Sequence, residues 1–355
     1  MWPGTPLTRL LGVRYPIVQA PMANGPSTPE LAAAVSDAGA LGSLGFGFLP
    51  PEAVREGILA TRRLTDRPFG VNLFVPQEPP TADPAEALAL LDPFRDELGI
   101  ERTALGRPPT VTFEDAVAVV LEERPAVFSF TFGTLSGDVV TALKENGVTV
   151  LGTATTASEG EELERLGVDA VVAQSSEAGG HRGTFAADME TAMIGGMALI
   201  PQLADRLGLP VVAAGGIMDG RGIVAALVLG AAGVQLGTAF LACPESGAHP
   251  AHKRAVLEGS DESTVVTRAF TGKPARGFRN RLVRELEEHA DRLAPFPVQA
   301  FASADVREEA AKQGEAELMT MLAGQGVGLA RSLPAGELVA TLAAEAEETL
   351  RRLTS

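Results

Sequence analysis

An apolar run, Val171-Val172-Ala173, passes through Gln174 to Ala178 into Gly179-Gly180-His181-Arg182-Gly183-Thr184-Phe185. Glycine lacks a Cβ, so the backbone at Gly179, Gly180 and Gly183 is free to take positive φ and approach a flat ligand closely. A histidine fixed on such a loop can take up or release a proton near neutral pH, which few side chains do unassisted. The competing reading of His181 is a solvated residue on a flexible surface loop. Its surroundings decide between the two.

Two further glycine turns carry potential chemistry. Ala213-Ala214-Gly215-Gly216-Ile217 ends one apolar run just before a helix opened by Asp219, and Gln235-Leu236-Gly237-Thr238 ends another before a further helix start. Helix N-termini expose free amides and roughly half a positive charge, so the two turns together suit one phosphate group. Either alone is ordinary turn chemistry. Asn72 and Gln174 offer donor and acceptor atoms for polar ring edges, and Met22 a soft apolar contact. Taken singly, Asn72 reads equally as a turn cap, Gln174 as a solvated residue and Met22 as core.

The elements that must position these residues repeat as strand, loop and helix. Strands are expected at 16–20, 40–44, 69–74, 126–130, 148–151, 169–173, 210–213 and 233–235, each followed by apolar residues at helical spacing. Such alternation implies parallel pairing, and eight apolar strands favour a closed (β/α)8 barrel, the TIM barrel, over an open doubly wound sheet. The chain after the first strand, Ala20-Pro21-Met22-Ala23-Asn24-Gly25, lacks the spaced glycines of a dinucleotide fingerprint. All the candidate residues fall at carboxyl ends of strands, where barrels of this kind carry their sites.

Two segments break the repeat. Residues 76–110 hold seven prolines and a possible helix over 84–98, and read as a lid-like insertion after strand three. Residues 244–355 read as a mainly helical cap, with helices at 251–258, 280–292, 303–322 and 334–350, packed on a barrel spanning 1–243. Lys273, Arg276, Arg279, Arg281 and Arg284 either attract an anion or pair with Glu285, Glu287 and Glu288. His249, His252 and His289 lack metal-site spacing and read as surface or structural.

Acidic residues number 45 against 29 basic, a net charge of −16 that argues against nucleic acid or an anionic membrane as partner. Cys243 is the sole cysteine, so no internal disulfide or multi-cysteine metal site is expected. No metal is expected at all. No continuous apolar stretch precedes Tyr15, and a cytoplasmic protein, monomer or homodimer, is the expectation.

In combination, these blocks resemble the flavin-dependent nitronate monooxygenases, formerly grouped as 2-nitropropane dioxygenases, in their histidine-bearing class. The resemblance is carried by Gln19 to Ala23, the stretch LAAAVSDAGALGSL from Leu31, Gly70 to Phe74, Glu177 to Gly183, AAGGIMDGR, GVQLGTAF, Thr271 to Gly277 and Ala323 to Gly326. It implies FMN, with Met22, Asn72, Gln174, Gly179, Gly180, Gly215, Gly216, Gln235, Gly237 and Thr238 around it, and His181 as the catalytic residue. It also implies oxidation of a nitronate by O2 to a carbonyl compound and nitrite, with His181 as base or as hydrogen-bond donor to the nitro group. The flavin would supply the redox step.

The chain departs from the family's pattern in three places. Ser175-Ser176 replaces a glycine that commonly follows the glutamine. Phe296 stands where a pocket tyrosine is expected, and Leu322 where a tryptophan is. A more apolar pocket follows, suited to alkyl nitronates. Two alternatives share the flavin: an NAD(P)H-dependent enoyl-acyl-carrier-protein or quinone reductase, and a flavin-binding barrel without turnover.

Overall fold

A computed structural model describes residues 4–77, 82–101 and 113–354. Its strands, in chain order, are β1 (Ile17–Gln19), β2 (Gly42–Gly47), β3 (Phe69–Phe74), β4 (Val127–Thr131), β5 (Thr149–Ala154), β6 (Ala170–Gln174), β7 (Gly180–His181), β8 (Val211–Ala214), β9 (Gly233–Leu236), β10 (Thr264–Thr267) and β11 (Ala275–Phe278). Eight of them form one parallel sheet in the order β1-β9-β8-β6-β5-β4-β3-β2. The ring closes because Val18 of β1 bridges Leu41 beside β2, with Gln19 N–H donating to Leu41 O and Leu41 N–H to Ile17 O, each at 2.9 Å. The strands are buried on both faces, as parallel strands covered by helices must be. This is the expected (β/α)8 barrel.

The second expected strand runs further than its apolar stretch, into Gly45-Phe46-Gly47. The glycines are there for clearance: a Cβ on Gly42 would collide with the carbonyl of Ala32, and one on Gly45 with the Met22–Ala23 backbone. Below the strands, the short helix Pro6–Leu11 starts from a Thr5–Thr8 capping box and places Leu7 and Leu11 against Val18, Leu41, Leu151, Val172 and Val212. It plugs the amino-terminal end of the barrel. With only six residues, it shows too little periodicity to read in advance.

The described part of the insertion is the helix Ala85–Leu98; residues 78–81 and 102–112 lie outside the described residues. This helix packs against Val298–Ala302 and Ala304–Gln313. Arg95, 3% exposed, donates from Nε to Asp305 Oδ2 at 2.8 Å and from Nη2 to Ala302 O at 2.6 Å.

The carboxy-terminal part, expected as a mainly helical cap, also carries strands, and its last helix lies against the barrel helices. Residues of β10 and β11 form an antiparallel ladder, and β7 joins it, with Ala275 opposite His181 and Arg276 opposite Gly180. The last helix, Ala335–Thr354, packs on Gly220–Val228 and Pro29–Asp37, closely enough that a Cβ on Gly220 would collide with Ala346 N. It fills the outer-ring position of the eighth barrel helix. The helix expected over 303–322 ends at Gln313, because Gly314 takes φ +77° as its left-handed cap. No helix among the described residues is long and apolar enough to cross a membrane.

Candidate active site

At the carboxyl ends of the strands lies a cavity of about 780 Å³, within the range of small-molecule and cofactor sites. Met22, Asn72, Gln174, Gly179, Gly180, His181, Gly215, Gly216, Gln235, Gly237 and Thr238 all line it. Residues from five separate stretches of sequence thus meet on one surface.

His181 is not on a free loop. Its place in β7, hydrogen-bonded to β11, fixes the backbone, and Gly180 supplies φ +83° just before it. Arg182, fully buried, reaches back beneath the loop: Nη1 donates to Gln174 Oε1 at 3.1 Å and to Ser175 O, and Nη2 to Ala192 O at 3.0 Å. Gln174 completes the clamp, accepting from Gly183 N–H at 2.7 Å and donating to His181 O at 3.0 Å. Most of its amide is therefore spent on shaping the loop. Buried Glu159 holds the next residues, accepting from the N–H of Phe185 at 2.8 Å and of Ala186 at 3.0 Å. Sequence reasoning passed over Arg182 and Glu159, since a charged residue beside a loop or in a first helical turn reads as solvated.

The His181 ring touches Thr271 through Nε2 at 2.8 Å and lies 6.0 Å from the Phe132 ring and 6.5 Å from that of Phe296, centre to centre. Phe74 and Phe48 extend the aromatic wall outward. Burial first, then the positive charges of Lys273 and Arg307, push its pKa down to about 4, so the ring is neutral at pH 7. Lys273 sits over the Phe132 ring at 4.6 Å and donates to Gln77 Oε1 at 3.1 Å, and burial lowers its pKa to about 8. Arg307 lines the cavity, and its hydrogen bonds go to neutral oxygens: Ala300 O at 2.9 Å and Ser303 Oγ at 3.0 Å.

The basic cluster divides accordingly. Lys273 and Arg276 turn inward, Arg276 donating to Ser176 O at 3.0 Å, whereas Arg279, Arg281 and Arg284 pair at the surface with Glu287, Glu97 and Glu317. His252 is buried, lines the cavity and has Nε2 3.0 Å from Leu322 O. Its pKa is pushed down to about 4, mainly by burial. His249 also lines the cavity while capping its helix at Ala251 N–H, and His289 is exposed. Among the described residues no group of acidic, histidine or cysteine side chains is arranged to hold a metal.

The two glycine turns serve the cavity by a different route from helix ends. Asp219 caps the helix Gly220–Val228 with its own carboxylate, accepting from Arg221 and Gly222 N–H, so that helix start is not open to an anion. The Gly215-Gly216 turn itself is open, with φ +114° and +71°. A Cβ on Gly215 would collide with Ser175 Oγ, and that buried hydroxyl has no hydrogen-bond partner among the described residues. Opposite, the Gly237 backbone lies against Ala20 and Met22, where a Cβ would meet Met22 Sδ at 3.9 Å. Thr238 Oγ1 accepts from Gly324 N–H at 2.8 Å. Gly179 is needed for packing, since a Cβ there would collide with Ala323–Gly324. Asn72 donates to Ser129 Oγ at 2.9 Å and keeps its carbonyl oxygen. The two glycine turns, with the amide side chains of Asn72 and Gln174 lining the same cavity, fit a phosphate-bearing planar cofactor.

A closed (β/α)8 barrel that gathers a half-buried, neutral histidine and two glycine turns round one cavity at its strand ends has the form of a barrel enzyme. The model of the nitronate monooxygenase family matches residues 5–345. The chain is 42% identical over 354 residues to a probable nitronate monooxygenase of Staphylococcus saprophyticus, covering 98% of this chain and 99% of that protein. Among solved structures it is similar to a nitroalkane oxidase from Streptomyces ansochromogenes, at TM-score 0.90 and 44% identity over 98% of this chain and 99% of the other. It is also similar to FabK from Thermotoga maritima, at TM-score 0.78 and 33% identity over 99% and 98%. The chain belongs to the nitronate monooxygenase family, whose members are flavin-using oxidoreductases.

Proposed function

We propose that this protein uses FMN and O2 to oxidise alkyl nitronates, and neutral nitroalkanes that it first deprotonates, to a carbonyl compound and nitrite. One observation carries the reading: His181 and the two glycine turns, distant in sequence, line a single cavity large enough for a flavin mononucleotide and a small substrate.

The Gly215-Gly216 and Gly237-Thr238 backbones would hold the phosphate. Met22, Asn72, Gln174, Gly179, Gly180 and Gln235 would border the ring system. When bound, FMN supplies the two-electron oxidation and its own reoxidation by O2. The chain's own residues do the rest. Lys273 and Arg307 create a local positive field that draws an anionic nitronate into an otherwise acidic molecule. Phe74, Phe132 and Phe296 exclude water and receive an alkyl chain. His181, neutral at pH 7, either takes the carbon-bound proton of a nitroalkane or hydrogen-bonds the nitro oxygens.

The test is spectroscopic and chemical. The purified protein should be yellow and release FMN on heating, and under air a small alkyl nitronate should yield nitrite with oxygen uptake and no nicotinamide. Bleaching by NADH or NADPH, with nitronates left untouched, would move the protein to the reductase reading. A colourless protein that takes up no added FMN would sink both.

A further inference from the structure

The proposed function leaves open which nitrogen of His181 meets the substrate, and hence whether the ring accepts or donates there. Its Nε2 lies 2.8 Å from Thr271 Oγ1. Thr271 is buried, and its hydroxyl oxygen is 3.4 Å from both the amide nitrogen and the carbonyl oxygen of Lys273. A hydroxyl has one proton to give and two lone pairs to receive. Accepting from Nε2–H and from Lys273 N–H, and donating to Lys273 O, it satisfies all three contacts. Donating to Nε2 instead would leave the Lys273 carbonyl without that proton. In a buried setting the arrangement with one more hydrogen bond wins.

Backbone geometry keeps Thr271 in place. Gly272 has φ +82°, and a Cβ there would collide with the Ala294–Phe296 backbone, so the turn before β11 is set against the cap. The pairing of β11 with β7 then holds His181 at a constant distance from it. Nδ1 has no hydrogen-bond partner among the described residues, and the ring lines the cavity.

We propose that Thr271 is a positioning residue whose hydroxyl holds His181 as the Nε2–H tautomer, leaving the Nδ1 lone pair to face the substrate. This rests on the proposed function for the chemistry that follows. The C–H bond of a neutral nitroalkane breaks, its proton passes to Nδ1, and its electron pair moves into the nitro group to form the nitronate. The new Nδ1–H then donates to a nitronate oxygen. A preformed nitronate, offering only lone pairs, gains much less from Nδ1 in this tautomer.

The experiment is ¹⁵N-histidine NMR on the holoenzyme near neutral pH, paired with steady-state kinetics. Wild type should show His181 with Nε2 protonated and Nδ1 bare. Thr271→Val, close in shape but without the hydroxyl, should give mixed tautomers and about a tenfold lower kcat on a neutral nitroalkane. Its KM and flavin content should hold, and its loss on the nitronate should be smaller. Thr271→Ser should restore tautomer and rate together. A wild-type Nδ1–H tautomer, or a Thr271→Val protein with tautomer and rate unchanged, would overturn the assignment. A tautomer shift in a protein that turns over no nitro compound would support Thr271 as the orienting group and overturn the proposed function instead.

Discussion

At the scale of single residues, His181 separates the two substrate forms. A neutral nitroalkane must lose a proton before oxidation, whereas a nitronate has already lost it. His181→Asn keeps a hydrogen-bonding side chain but cannot accept a proton at neutral pH. It should lose on the order of 10²–10⁴ in kcat/KM on the neutral form, and much less on the nitronate, with bound FMN unchanged. Equal losses on both would make His181 a binding group rather than a base. Gly215 is the sharper probe of the cofactor. With φ +114° and Ser175 Oγ where a Cβ would go, Gly215→Val should strip the flavin, read as absorbance per protein. Gly237, whose Cβ would meet only ordinary contacts, should tolerate alanine with flavin retained.

Among the elements, the helix Ala85–Leu98 depends on one buried charge. Arg95 is held by Asp305, Ala302 O, Leu88 O and Asp92, and removing a partner from a buried ion strands the other. Asp305→Ala should cost about 3 kcal/mol or less, given that Asp305 is itself partly exposed. The loss should be local: hydrogen exchange should speed up along Ala85–Leu98 and Ala304–Gln313, while the barrel strands stay protected. Uniform destabilisation of strands and cap together would show that the helix Ala85–Leu98 does not open on its own. The helix Ala335–Thr354, by its contacts, belongs with the barrel.

For the whole molecule, pH stability depends on two histidines, His252 buried and His181 half-buried at the cavity wall. His181 and His252 have pKa values pushed down to about 4 in the folded state, against about 6.5 in an unfolded chain. The unfolded chain therefore binds protons first as pH falls. Their contribution to stability is complete above about pH 6.5 and is lost progressively down to about pH 4, at roughly 1.4 kcal/mol per pH unit for each histidine. Urea midpoints measured across that window should fall, and His252→Gln should flatten part of the slope. An unchanged slope in that variant would mean that His252 is charged or solvated in the folded state.

The sequence by itself determined the eight strands and most of the helices around them, because apolar period and glycine punctuation are local properties that survive in any one stretch of chain. It also marked the glycine turns and His181, since few other arrangements of those residue types make sense at strand ends. What it could not supply was anything set by residues far apart. That Gly179 clears Ala323–Gly324 and that His181 stands in a strand beside β11 both depend on cap segments about 90 to 150 residues downstream. Likewise, Asp219 looked like an opener for a phosphate-binding helix, and only its folded side chain shows that the helix start is already capped. The inward turn of Lys273 and the fully buried Arg182 were decided by the tertiary structure too. A charged side chain is solvated unless other elements close over it, and that closure is a property of the assembled barrel and cap, invisible in the order of residues.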